Sequence, residues 1–591
     1  MMHPQLSSVK DKLQQRLSAL KELQARLPDE PYSIVLRLEL ANGYKDLGYP
    51  DLAAGDAYKA LLLIDEVLQD GEYHEEALSA ARNDTNSGRA GRPTADIFLP
   101  LSFHSRCTDG PCTSTSLTND EDKEDEEVKE QTIISATTSW SQCAYHLLVG
   151  CLIDCGCLKS ASDYNSRALR ALPEVHLFKA YKEELRCALS AIPGYNHDDA
   201  TAIDIQDYPE RCLVRRELYP WNPYEPDRFS PESIGFLNNE MASVAPNLEA
   251  KISELPALTL ERGSVDSVSA EKTRYVKQLG VFAKVDISPG EIVLQEKSML
   301  TAISRLHDSY CDACSIKLPA LSASDAPTIS CEDCNEAFYC SVECHDTAQA
   351  LYHPSLCGVT IDRKVWGTEA ADYLYSLLLM RALALAETQG VHPLQLKEVR
   401  YIWGDYHGLD LSNVWQCDPQ GQLKDSFGSI PRKLPFSFQA NVLFPLHVLE
   451  KMDINIFEQS LRYDTWIFNT LYAKFRGTAS ARHGLDGRPE IAAVHPVWCL
   501  TNHSCDPNVA WEWEGSMKFW TREQLIQWQG RETRIAPGLR AGEEVFSHYC
   551  DIRLPVKERR EWAIGALGGE CMCPRCIWEE ADGKGQSDPT A

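Results

Sequence analysis

The chain has 591 residues, too many for one compact core, so two or three domains are expected. Its net charge of −28 argues against a protein built to wrap nucleic acid, which needs clustered cations to release counterions. An acidic surface instead favours basic protein partners, or serves solubility alone. No apolar run approaches the ~18–20 residues that span a bilayer. The start, MMHPQLSSVKDKLQQRL, is charged too early for a secretory signal. The expectation is a soluble protein of the nucleus or cytoplasm with no membrane segment. In such a compartment the 22 cysteines should be reduced, so spaced clusters point to metal before disulfides. Eleven fall into usable patterns; the other eleven, Cys151, Cys155 and Cys499 among them, read as small buried thiols.

In chain order, 1–83 and 137–200 read as helical. In 34–65 Leu40, Ala41, Tyr44, Gly48, Ala53 and Ala57 sit at the large and small positions of a helix pair. In 142–173 Leu148, Ala161, Ala168 and Pro173 stand in similar phase. Small residues at fixed offsets let helices approach closely, as in tetratricopeptide repeats, and a generic helical bundle is the competing reading. Between them, 84–136 is polar and contains TNDEDKEDEEVKE, too poor in apolar surface to offset its ordering entropy, and is expected to be disordered. Residues 201–270, with YPWNPYEPDR at 219–228, read as an extended linker arm. From 271 the alternation of RYVKQLGVFAKVDISPGEIVLQEK predicts short strands with a turn at Ser288-Pro289-Gly290, and 371–387 predicts a helix. The fold class expected is α+β and multidomain.

The strongest local pattern is Cys311-x2-Cys314, Cys331-x2-Cys334, Cys340-x3-Cys344 and His353-x3-Cys357. Seven thiols and one imidazole supply two tetrahedral zinc sites with no ligand left over and no position for water, so both read as structural. Three further segments carry the chemistry, with the cysteine cluster lodged between the first and the second. They are Gln278-Leu279-Gly280 with Pro289-Gly290-Glu291, then Asn502-His503-Ser504-Cys505, then Gly542-Glu543-Glu544 leading to Tyr549, trailed by Cys571-x-Cys573-x2-Cys576.

Together these segments resemble the SET-and-MYND family of protein-lysine methyltransferases over roughly 271–578. The YPWN arm joined to a repeat-bearing N-terminus also resembles fungal SET proteins. The resemblance implies a SET N-terminal part at 271–310, a MYND-type zinc finger at 311–357 and a helical SET insertion at 358–490. It implies a SET C-terminal part at 491–553, a post-SET segment at 554–578 and a disordered tail at 579–591. In the finger it implies interleaved ligation, Cys311, Cys314, Cys340 and Cys344 on one ion, and Cys331, Cys334, His353 and Cys357 on the other. Cys505 would complete a third zinc with Cys571, Cys573 and Cys576. S-adenosylmethionine would be held by Asn502, His503, Asn469 and backbone near Gly280, and Tyr549 would stand beside the methyl group and orient the target amine. Such fingers usually bind proline-rich protein segments; this one either does so or only braces the fold. The implied activity is methylation of a histone or non-histone lysine, and a SET and MYND scaffold with little turnover is the alternative.

The sequence departs from the family pattern twice. Gln278 stands where the first glycine of Gly-x-Gly belongs, a poor occupant if positive φ is needed there. The stretch Gly565–Cys571 has no aromatic to wall a lysine channel or stack on adenine. Trp511, Trp513 and Trp520 are candidate substitutes, while Trp562 and Trp578 lie nearby but off the matching position.

Overall fold

The computed structural model describes residues 4–69, 71–86, 130, 132–134, 136–190, 208–256, 275–304, 309–319, 328–360, 370–403, 432–484, 487–531, 536–567 and 569–585. They form two compact units, residues 1–221 with 408–469, and residues 222–407 with 470–591. Most of the acidic insertion at 84–136 lies outside the described residues, as does the end of the tail beyond 585.

The first unit is mainly helical, and its sequence punctuation explains why. Ser33 opens the helix Ile34–Asp46 by accepting the Leu36 N–H at 3.1 Å. Gly48, at φ +77°, turns the chain, and Pro50 begins the helix Pro50–Leu68 where its missing N–H costs nothing. A second pair, Ser141–Cys155 and Leu158–Ala171, is divided by Gly156 at φ +88°. Ala41, Ala53, Ala57, Ala161 and Ala168 are all fully buried, as expected of small residues that set helix separation. Residues 432–469, expected within the helical SET insertion, group with these helices and contribute the strand Arg432–Phe436, which pairs antiparallel with Cys212–Arg215.

The second unit mixes small sheets with helices. Within 201–270, read above as an extended arm, the structure instead forms the helix Pro231–Val244 and the strand Leu248–Pro256. Ser230 caps that helix and Pro231 occupies its first turn. The strand then pairs antiparallel along its whole length with Tyr275–Ala283. A three-stranded sheet joins Ile292–Glu296, Met517–Thr521 and Val509–Trp513, and another joins Thr301–Ile303, Pro489–Val494 and Ala479–His483. Gly290 makes the expected turn at φ +82°. The helix read at 371–387 spans Ala370–Thr388, and Leu374, Leu377, Leu378, Leu379, Leu383 and Leu385 on it are buried. The core lies between the sheets, where Leu279, Val281, Leu294, Phe519 and Val545 pack together. The tail expected to be disordered from 579 continues the helix Pro574–Gly585 instead, anchored by Arg575–Glu579 one turn apart at 2.7 Å. Among the described residues no helix is long and apolar enough to cross a membrane.

Candidate functional site

The site is built on two segments far apart in sequence. The strand Asn502–His503 runs parallel to Phe546–Ser547, pairing Asn502 with Phe546 and His503 with Ser547. Asn508 clamps the pair, donating to Glu544 O and accepting the Phe546 N–H, each at 2.8 Å. The side-chain amide of Asn502 donates to Leu279 O at 3.0 Å and to the Glu544 carboxylate at 2.6 Å, and Ser253 donates to the other oxygen of that carboxylate at 2.7 Å. Two sheets are tied together by one acid to which the sequence assigned no role.

Gly280 owes its identity to this acid. A Cβ there would stand 2.4 Å from Glu544 Oε1 and 3.1 Å from Asn502 Nδ2, and both groups are held by hydrogen bonds. Gly280 thus makes a close approach to the chain's own Glu544. Gly280→Ala should cost about 1–3 kcal/mol in denaturant unfolding through overpacking. An unchanged midpoint would contradict this reading of the contact. Gln278 sits in the extended strand with no positive φ, so no strain attaches to it, and its Oε1 accepts from Arg228 at 2.7 Å.

His503 links Tyr549 to a cysteine cluster. Its Nδ1 accepts the Tyr549 backbone N–H at 3.0 Å, and burial pushes its pKa down to about 4, so the ring is neutral with its proton on Nε2. Nε2 faces Cys505 Sγ at 3.4 Å, where in this tautomer it donates. The Tyr549 hydroxyl donates to the backbone oxygen of Thr501.

Two cavities meet at Tyr549. The first, about 500 Å³, is lined by Gln278, Leu279, Trp403, Asn502, His503 and Tyr549, with Cys571–Pro574 along one wall. The second, about 1040 Å³, is lined by Trp498, Trp511, Trp562, His548 and Tyr549. Gly477, Thr478, Cys499, Tyr549 and Ala566 belong to both walls.

Aromatics that the Gly565–Cys571 stretch lacks come from elsewhere. Trp562 and Ala566 lie four residues apart on the helix Val556–Leu567 and both line the larger cavity. Of the three tryptophans suggested from sequence, Trp511 lines it, whereas Trp513 is buried against His495 and Trp520 does not reach it. Trp498, which sequence reasoning did not single out, packs 5.9 Å from Trp511 and 6.2 Å from Tyr549. Asn469 is not among the residues lining either cavity. It is buried in the first unit, donating to Asp51 and accepting from Asn441, each at 2.8 Å.

Among the described residues four sets of ligand atoms converge: Cys311, Cys314, Cys340 and Cys344; Cys331, Cys334, His353 and Cys357; Cys505, Cys571, Cys573 and Cys576; and a three-membered set of His503, Cys505 and Cys550 that shares Cys505 with the third. Contacts within the four-membered sets fit tetrahedral coordination. Bonds of ~2.3 Å imply sulfur separations of about 3.8 Å, far longer than a disulfide. Cys314–Cys340 and Cys340–Cys344 stand at 3.6 Å, Cys331–Cys357 at 3.8 Å, Cys505–Cys576 at 3.4 Å and Cys505–Cys571 at 4.0 Å. The four-membered sets are zinc-binding sites by donor set and spacing. Around the third set Arg559 donates to Cys576 Sγ at 3.5 Å, and Arg575 donates to Cys505 O at 2.8 Å. Such cations offset the negative charge of a four-thiolate site. The otherwise unassigned Cys550 packs against this cluster as a fifth thiol.

Glu296 is a further buried acid that positions the site. Its oxygens accept the Val497 and Trp498 N–H groups at 2.9 and 3.0 Å, fixing the turn that leads into Asn502. Burial raises its pKa from 4.5 to about 7. A carboxyl raised on folding stabilises most while protonated, so its contribution is full below about pH 4.5 and is lost as pH rises through about 7. Glu296→Gln should therefore gain ground on the parent protein in thermal midpoint between about pH 5 and about pH 8. A gap independent of pH would contradict this.

No family model matches the chain. Among curated proteins it is similar to N-lysine methyltransferase SMYD2 of Gallus gallus, 22% identical over 275 residues, 46% of this chain and 51% of that protein. A SET and MYND domain-containing protein of Dictyostelium discoideum is 23% identical over 330 residues, 51% and 58% of the two chains. N-lysine methyltransferase SMYD2-B of Xenopus laevis is 30% identical over 91 residues, 15% and 18%. Apart from that short match, the chain spans just over half the length of these relatives. It is similar to SET-and-MYND proteins, and its mixed architecture with cysteine-rich zinc-binding clusters is consistent with theirs.

Proposed function

We propose that the protein is an S-adenosylmethionine-dependent protein-lysine N-methyltransferase. The observation that carries this reading is the pair of cavities meeting at Tyr549, one bounded by Asn502 and His503, the other walled by aromatic rings. Methyl transfer needs this separation, because donor and amine must approach one line from opposite sides. The smaller cavity falls within the ~300–1,000 Å³ typical of ligand sites. When bound there, the cofactor supplies an electrophilic methyl group.

The Asn502 side-chain nitrogen and both ring nitrogens of His503 are engaged within the protein, so Asn502 Oδ1 and the backbone of the two residues are what they offer the cofactor. Trp403, with Arg228 over its ring at 5.3 Å, supplies an aromatic face in the same cavity. On the other side Trp498, Trp511 and Tyr549 exclude water from an entering lysine and favour its neutral amine, the nucleophilic form. The Tyr549 hydroxyl, held on Thr501 O, orients that amine. Zinc at the third cluster, the last of three ions per chain, would brace the segment Cys571–Pro574 that lines the cofactor cavity. The two N-terminal helix pairs read as tetratricopeptide-type, and a basic or proline-rich protein partner and a nuclear or cytoplasmic location are part of the same proposal.

The test is incubation of the full chain with S-adenosylmethionine and whole-cell protein, followed by mapping of methylated lysines. New methyl-lysine is expected. Cofactor binding without any transfer would favour the scaffold reading.

A further inference from the structure

The larger cavity contains a cation that the reaction as described does not use. Arg476, Arg522, Arg553 and Arg575 all line it. Three are matched: Arg476 with Asp372 at 2.6 Å, Arg553 with Asp551 at 2.8 Å, and Arg575 with Glu579 at 2.7 Å. Arg522 differs. Its backbone N–H donates to Asn508 O at 3.0 Å and its Nε to Val509 O at 3.1 Å, which fixes the stem. Among the described residues no carboxylate comes within ion-pair distance of it. Asp551, the one acid in the described lining, is already taken by Arg553.

The surroundings make this cation available to a ligand. Arg522 is half-buried, so its charge is poorly hydrated without being neutralised. His548, beside it on the same wall, is held below its ordinary pKa by burial and then by the Arg522 charge, which leaves the imidazole neutral. A run of rings connects this wall to the reaction centre: Tyr549 to Trp498 at 6.2 Å, Trp498 to Trp511 at 5.9 Å, Trp511 to His548 at 5.5 Å. In a chain of net charge −28, a cation without a counter-ion on a cavity wall is a local inversion of sign. A carboxylate is its natural complement, since guanidinium pairs carboxylates with two parallel hydrogen bonds.

We propose that the protein selects lysines with an aspartate or glutamate within a few residues along the substrate chain, the carboxylate being bound by Arg522 while the lysine reaches Tyr549. This rests on the methyltransferase reading. It also reconciles two signs: the acidic chain attracts basic proteins at long range, and Arg522 reads an acidic neighbour at short range.

The test is a set of lysine-centred peptides in which each flanking position is in turn Ala, Glu or Lys. Methyl transfer by the full chain is followed by mass spectrometry, with cofactor binding measured separately. At one or two positions Glu should raise kcat/KM about tenfold over Ala, the size of one charge-assisted hydrogen-bonded pair. Arg522→Gln should erase that ratio, and Arg522→Glu should reverse it in favour of Lys. Cofactor binding by both variants shows that they fold, and Arg522→Gln alone suffices if Arg522→Glu does not. Transfer indifferent to flanking charge, or a ratio that survives Arg522→Gln, overturns the inference and leaves the methyltransferase reading intact. Transfer to no peptide at all overturns both.

Discussion

Tyr549→Phe is expected to lower the rate of methyl transfer by about a hundredfold or more, the usual scale for losing a positioned hydroxyl at a reacting centre. The hydroxyl is anchored on Thr501 O and the ring stands in the wall common to both cavities. Removing one oxygen leaves that packing in place. The loss should therefore fall on kcat, with cofactor affinity and zinc content unchanged, because neither the Tyr549 N–H to His503 bond nor the cysteine cluster is touched. A variant that transferred methyl groups at the parent rate would remove Tyr549 from its assigned position.

Cys505→Ser should have the second large effect, and its consequence reaches beyond the metal. Cys505 supplies a thiol to the third cluster, faces His503 Nε2, and carries the backbone oxygen that Arg575 holds. Loss of one thiolate from a four-ligand zinc site removes most of its affinity, and the binding energy of such a site is largely folding energy. Zinc should fall from three ions per chain to two. Cofactor binding should be lost with it, because Cys571–Pro574 line the cofactor cavity. Cys550→Ser is the matched control. This thiol lies beside the same cluster but outside the four-sulfur set, so three ions should be retained. If Cys550→Ser lost zinc and Cys505→Ser kept it, the ligand assignment would be reversed.

Much of this site was legible from spacing alone. The paired cysteines and His353 announce their coordination because four ligands per ion leave little freedom of arrangement. The strands around 271–297, the turn at Gly290 and the helix at 370–388 followed from side-chain periodicity and turn chemistry. What escaped was set by long-range packing. Glu544 was visible only as part of the segment leading to Tyr549, and its role depends on Ser253 and Asn502 converging on it from two strands. Gln278 looked strained only because the position was presumed to need a glycine's backbone, and in an extended strand it does not. The aromatic wall was sought in Gly565–Cys571, yet Trp498 and Trp562 reach the cavity from a turn and from a helix face. Asn469 is the converse case. A matching asparagine at a plausible distance was assigned to the cofactor, and its side chain instead joins Asp51 and Asn441.

Titration calorimetry of the zinc-loaded full chain with S-adenosylmethionine tests the central claim most directly. The cavity beside Asn502 and His503 predicts saturable binding of one cofactor per chain, with a dissociation constant in the range of about 1 μM to 1 mM. No saturable heat at about millimolar cofactor, from protein carrying its full zinc complement, would contradict it.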